Sequence, residues 1–109
     1  MDGYIAKLKD IRALADRYHA LIMVDDCHAT GFLGPQGKGS YAYHGVDVDF
    51  VTGTFGKALG TFGAFVAGPA DLVETLLQRA RTYIYTTALP PAVAAGLLAF
   101  YAFAKRQLK

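Results

Sequence analysis

Residues 20–26, ALIMVDD, constrain the fold more than any other stretch of this chain. An unbroken apolar run ends in two adjacent carboxylates, Asp25 and Asp26. Its length and continuous apolarity predict a strand buried on both faces of a parallel sheet, with helices covering each side. The acidic end then lies where the strand leaves the sheet, and in open α/β sheets ligands bind outside the carboxyl ends of strands.

The flanking segments extend this pattern. Residues 5–18 place Ile5, Leu8, Ile11, Leu14 and Ala15 at helical spacing with charges opposite, predicting an amphipathic helix. Residues 29–40, ATGFLGPQGKGS, hold four glycines and a proline and read as a loop. Residues 46–54 (VDVDFVTGT) and 63–68 (GAFVAG) read as a second and a third strand. Pro69 and Asp71 open a helix to about Arg81. YIYTT, residues 83–87, reads as a short extended piece, and Pro90–Pro91 begins a last, mostly apolar helix. The order is that of an α/β architecture. No repeat, linker or domain boundary divides residues 1–109.

Composition narrows the function classes. The chain has 109 residues, of which 53% are hydrophobic and 18% charged, as expected of one globular unit. Eleven basic and nine acidic residues give a net charge of +2, and the basic residues are scattered, which argues against a nucleic-acid partner. Cys27 is the sole cysteine, so an internal disulfide is impossible, which suits a reducing cytoplasm. Residues 82–104 carry no charge and are long enough to span a bilayer, but Pro90 and Pro91 split them. A buried helix is the expectation, with no membrane partner.

Two constellations carry chemistry. The first is VTGTFGKALG, residues 51–60: between Asp49 and Asp71 the only charged side chain is Lys57. A phosphate-binding P-loop requires glycine at Val51 and Ser or Thr at Ala58, so that reading fails twice. A lysine set among glycines and apolar residues suits a Schiff-base amine, because poor solvation favours the neutral nucleophile. The plainer reading is a loop-tip lysine with its ammonium in water. The second constellation is MVDDCHATG, residues 23–31. A carboxylate at the strand end can keep a pyridine-type ring nitrogen protonated, and His28 can hydrogen-bond the same ligand. Asp, Cys and His are also metal ligands, but adjacent Cys27 and His28 point apart and no second ligand cluster is present. Taken together, Asp-x-x-His after one strand and Thr-x-x-Lys after another can converge on one pocket. Thr54 and the glycine-rich turn could hold a phosphate there, leaving Lys57 to reach an aldehyde.

With these motifs in view, MDGYIA, MVDDCHATGFLG, GKGS, VTGTFGKALG and YIYTTALPPAVAA resemble, in order, the α-oxoamine synthases. The TFGKALGTFGAFVAG and RARTYIYTTALPPA segments are most similar to the family's 8-amino-7-oxononanoate synthase branch. The glycine C-acetyltransferase branch is the alternative; a non-catalytic α/β module binding a ligand or partner is the alternative of another class. The resemblance implies a part of the large domain of the aspartate-aminotransferase-like fold, with a mainly parallel sheet and flanking helices, and pyridoxal 5′-phosphate as cofactor.

It also implies roles. Lys57 forms the internal aldimine and later removes the substrate α-proton. Asp25 pairs with the ring nitrogen, His28 with the phenolic oxygen and Thr54 with the phosphate. Thr86 or Thr87 reaches the phosphate of a neighbouring subunit's cofactor in a homodimer. The reaction implied is a decarboxylating condensation of L-alanine with a pimeloyl thioester, on coenzyme A or an acyl carrier; in the alternative branch it is glycine with acetyl-CoA. No metal is implied. The family chain is several times longer, with its upstream glycine-rich phosphate turn, ring-stacking histidine and small domain outside residues 1–109. The isolated chain is therefore expected to be inactive.

Overall fold

The computed structural model describes residues 2–107, with the side chain of Gln107 excepted. Helix α1 (Leu8–Tyr18) leads into strand β1 (Met23–Asp25). A single 3-10 turn (Pro35–Gly37) and helix α2 (Ser40–His44) follow, then strands β2 (Phe50–Thr54) and β3 (Ala64–Ala67). Helices α3 (Ala70–Arg79), α4 (Arg81–Ile84) and α5 (Pro91–Gln107) complete the order.

The three strands form one sheet in the order β1-β2-β3. β1 and β2 are parallel, with Val24 opposite Val51 and Asp25 opposite Thr52. β3 returns antiparallel to β2, pairing Gly53 with Phe65 and Thr54 with Ala64. The α/β class stands, and the sheet is mixed. β3 follows β2 through residues 55–63 alone, and a parallel return needs a crossover of about a dozen residues or more.

Helix α1 ends where His19 adopts a left-handed conformation (φ 52°) and the Ala20 amide donates to the Ala15 carbonyl at 2.9 Å. This closure lets the chain reverse directly into β1. Leu8 and Ala15 of α1 meet Ile22, Val24 and Val46 in a small core, with Tyr41 and Val48 packed against it. Ile11 and Leu14, on the predicted apolar face, stand exposed.

The expected two-sided burial of β1 does not hold here. Ile22 and Val24 lie in the core, whereas Leu21 and Met23 are 76% and 58% exposed. Successive strand residues point to opposite faces, and α1 covers only one of them. Three other expectations are corrected. Val46 and Val48 pack in the core ahead of β2 instead of extending the strand. YIYTT is not extended: Ala80 interrupts the helix (φ −73°, ψ 101°), and Arg81–Ile84 then makes one further turn, with the Ile84 amide donating to the Ala80 carbonyl at 2.9 Å. β-branched and aromatic residues favour strands only where a neighbouring strand pairs with them. The last helix is not buried: Leu98, Tyr101 and Phe103 are exposed. No described helix is long and apolar enough to cross a membrane.

One polar tie holds α1 to the sheet. The Asp49 carboxylate accepts the Ile22 amide at 2.7 Å, and Arg12 donates to the same oxygen at 3.4 Å while pairing with Asp16 at 2.7 Å. The Ile22 amide bond, aided by Arg12, holds the Asp49 carboxyl below its ordinary value of 3.8. A folded-state pKa below the unfolded one adds stability above the unfolded value and loses it as pH falls through the folded one. Thermal stability is thus expected to drop as pH falls below about 4. Asp49→Asn should flatten that part of the profile in melts recorded across pH.

Candidate active site

The parallel pairing of β1 and β2 brings their carboxyl ends to one edge of the sheet. Asp25 is the last residue of β1 and Thr54 the last of β2. Asp25 Oδ1 accepts the Cys27 amide at 3.0 Å, closing a tight turn. Hydrogen bonding from the Cys27 thiol and amide holds the Asp25 carboxyl below its usual value; burial opposes this, and Lys57 and His28 add weaker electrostatic effects in the lowering direction. The same contact pushes the Cys27 thiol up. Asp25 is therefore an exposed, ionised carboxylate at the sheet edge from which the loop bearing Lys57 also leaves.

Lys57 rides on the β2–β3 connection. The Thr54 hydroxyl donates to the Gly63 carbonyl at 2.9 Å and accepts the Gly56 amide at 3.2 Å. The Thr61 amide donates to the Phe55 carbonyl at 2.8 Å, and the Gly60 amide to the Lys57 carbonyl at 3.0 Å. These bonds fold the loop on itself and present Lys57 at its tip. Lys57 is exposed, so its surroundings are not the poorly solvated pocket expected from its apolar neighbours in sequence. Those neighbours are spent elsewhere: Phe55 packs on Phe65 with ring centroids 5.1 Å apart, and Leu59 reaches the backbone at Gly31.

The structure thus brings Asp25, His28, Thr54 and Lys57 to one sheet edge. The Thr54 hydroxyl proton is already committed to Gly63, so binding an anion requires it to give up that carbonyl. Thr86 and Thr87 are exposed in the turn between α4 and α5, and among the described residues no hydrogen bond joins them to the other four. Three or more metal-ligating side chains do not gather among the described residues. A groove of about 1010 Å³ lies between α5 and the glycine-rich loop and is lined by Phe32, Phe65 and Leu97 among others. Neither Asp25 nor Lys57 borders it. Phe65 shares a face with Gly53, and Asp25 and Thr54 lie on the other.

Asp26 has a different place from Asp25. It is 3% exposed; its carboxylate accepts the Ser40 amide at 2.7 Å and the Ser40 hydroxyl at 2.6 Å. The strand period separates the two acids, because Asp26 falls on the covered face with Val24 and Asp25 on the open one. That signal was available in the sequence, but the partner, Ser40, lies across the glycine-rich loop and was not.

Residues 1–108 match the family Aminotransferase class I and II. The chain belongs to that family. It is 58% identical over 102 residues to the 8-amino-7-oxononanoate synthase of Nitrosococcus oceani, covering 91% of this chain and 27% of that protein. Among solved structures it superimposes on a serine palmitoyltransferase variant of S. paucimobilis with a bound PLP–myriocin aldimine. The TM-score is 0.85 at 39% identity, over 99% of this chain and 27% of that one. It also matches the 8-amino-7-oxononanoate synthase of Francisella tularensis, with TM-score 0.71 and 32% identity over 86% of this chain and 29% of that one. The chain thus spans about a quarter of the length of the relatives it matches. The resemblance to the α-oxoamine synthases, and to their 8-amino-7-oxononanoate synthase branch in particular, is borne out by these relatives.

The residues present fit pyridoxal 5′-phosphate. The carboxyl edge of the parallel pair carries an ionised carboxylate for a protonated ring nitrogen and, on the loop after β2, an exposed primary amine for an aldehyde.

Proposed function

We propose that residues 1–109 form part of the cofactor-binding large domain of an 8-amino-7-oxononanoate synthase. That enzyme condenses L-alanine with a pimeloyl thioester, carried on coenzyme A or an acyl carrier, releases carbon dioxide, and works as a cytoplasmic homodimer. The observation that carries this reading is the placing of Asp25 and His28, after β1, and Lys57, after β2, at the carboxyl edge of the parallel pair, together with the 58% identity to a synthase of that name.

Pyridoxal 5′-phosphate supplies an aldehyde that condenses with amines and a ring that withdraws electrons when its nitrogen is protonated. Asp25, ionised and exposed, would accept a hydrogen bond from that nitrogen and keep its proton in place. His28, on the turn after Asp25, orients the ring through its oxygen substituent. The Lys57 amine would hold the aldehyde, and as a free amine could accept the proton from the substrate Cα. Thr54 and the amides of its loop would hold the phosphate, the Thr54 hydroxyl giving up the Gly63 carbonyl to do so. Thr86 or Thr87 serves the cofactor of the second subunit.

The structural relatives favour one further reading, in which the amino acid is serine and the acyl group palmitoyl. Glycine with acetyl-CoA is a third pair. A coupled assay of the protein carrying this chain, offering each amino acid with each thioester, distinguishes them. Alanine with pimeloyl-CoA is expected to release carbon dioxide and an aminoketone fastest. Preference for another pair moves the protein to that branch. If no pyridoxyl adduct at all is trapped by borohydride, the non-catalytic alternative holds. Asp25→Ala is expected to retain the trapped adduct while lowering turnover by about 100-fold or more, since the ring nitrogen loses its counter-charge.

A further inference from the structure

We infer that Asp26 and Ser40 form a positioning pair, in which the buried Asp26 carboxylate fixes the turn from which Asp25, Cys27 and His28 project. The role assigned to Asp25 and His28 rests on the proposed function; the geometry of the pair does not.

Asp26 is held at every polar group. Its amide donates to the Thr52 carbonyl of β2 at 2.8 Å, continuing the parallel ladder one residue past Asp25. Its carbonyl accepts the Ala29 and Thr30 amides at 3.0 and 2.9 Å, which winds residues 26–30 into a turn with Cys27 and His28 inside it. Its two carboxylate oxygens divide between the Ser40 amide and hydroxyl. Main-chain bonds thus set the turn against β2, and the side chain sets it against the start of α2.

The glycine-rich loop serves this arrangement. The Gly31 amide donates to the Gly37 carbonyl at 2.7 Å and the Gly39 amide to the Leu33 carbonyl at 2.8 Å, folding residues 31–39 back on themselves. A Cβ on Gly37 would lie 2.9 Å from the Gly31 carbonyl carbon, so the two arms touch through bare backbone. GPQGKGS, which could be taken for an anion cradle, instead delivers Ser40 to Asp26. The Asp25 carboxylate has no such brace: among the described residues its hydrogen bond is from the Cys27 amide, inside the turn that Asp26 anchors. Losing the Ser40 hydroxyl therefore loosens the Asp25–Cys27 contact without touching either residue.

Cys27 reports that contact without any cofactor. Asp25 raises the Cys27 thiol pKa and so suppresses the reactive thiolate. The experiment follows alkylation of Cys27 by iodoacetamide at pH 8, read by mass spectrometry, in wild type, Ser40→Ala, Ser40→Thr and Asp26→Asn. Ser40→Ala is expected to react severalfold faster than wild type, and Ser40→Thr, which keeps the hydroxyl, at the wild-type rate. Gly45→Ala, whose added Cβ meets nothing within 4 Å and which destabilises through the backbone alone, is run beside them, so that faster reaction through general opening is separated from loss of the Asp25 contact. Should Ser40→Ala fail to fold, Asp26→Asn, which keeps one acceptor oxygen for Ser40, carries the test. A folded Ser40→Ala, or in its absence a folded Asp26→Asn, that reacts at the wild-type rate overturns the inference. The same proteins are then loaded with pyridoxal 5′-phosphate, where Ser40→Ala is expected to bind it more weakly. A wild type that takes up no cofactor overturns the proposed function, while the alkylation rates still decide the role of the pair.

Discussion

Lys57→Ala is expected to abolish the adduct that borohydride traps between the protein and pyridoxal 5′-phosphate. The effect is all-or-none because the bond is covalent and needs a primary amine at that point. The structure gives Lys57 the position for it: the loop closed by Thr54, Gly60 and Thr61 presents the side chain in solvent, at the sheet edge where Asp25 ends β1. Lys38, the nearest rival in sequence, belongs to the glycine-rich loop that borders the groove on the opposite face. Lys38→Ala should leave the adduct intact. Lys57→Arg separates charge from chemistry: it keeps a cation facing Asp25 but offers no amine that condenses with an aldehyde at neutral pH. Both Lys57 variants should give no adduct at residue 57 by peptide mass mapping. A trapped adduct of undiminished yield on another lysine in either variant would overturn the assignment.

How far the sequence reached this site depends on which physical signal each residue carried. Asp25 and Lys57 were legible because each sits at the end of an apolar segment whose strand character is local, and the parallel pairing of those segments followed from their shared apolarity. The direction of β3 was legible in principle, since residues 55–63 are too few for a crossover; apolarity alone masked it. Burial was not legible. Met23, Leu14 and Leu98 read as core from their chemistry, yet whether an apolar side chain is covered depends on elements packed against it, and in this chain those faces stand open. The helical turn at Arg81–Ile84 was missed for a related reason, because the strand preference of Tyr and Ile takes effect only beside another strand. The division of labour between Asp25 and Asp26 needed one further step, the alternation of faces along β1. The partner of Asp26 could not be read at all, since it comes from the far side of a loop whose path is set by backbone contacts between glycines.

That loop is where the largest stability effect is expected. Gly39 is buried, has φ +120° and lies so close to Asp26 that an added Cβ would run into the carboxylate oxygen Oδ2. Two costs then add. An L side chain at that φ is strained, and the Asp26 carboxylate must move away from the donors it holds. Asp26 has little room to do so, because its amide is bound to Thr52 and its carbonyl to Ala29 and Thr30. Gly39 itself cannot retreat without breaking its amide bond to the Leu33 carbonyl. Gly39→Ala is therefore expected to destabilise the fold by on the order of 3 kcal/mol or more. Gly45 is the control. Its φ is +64°, also left-handed, but nothing lies within 4 Å of an added Cβ. Gly45→Ala should cost only the backbone term, about 1 kcal/mol. Urea unfolding of the two variants beside wild type measures the difference. Equal midpoints for Gly39→Ala and Gly45→Ala would mean that the loop yields freely around Asp26, and that the close approach of glycine to carboxylate is not what holds Ser40 in place.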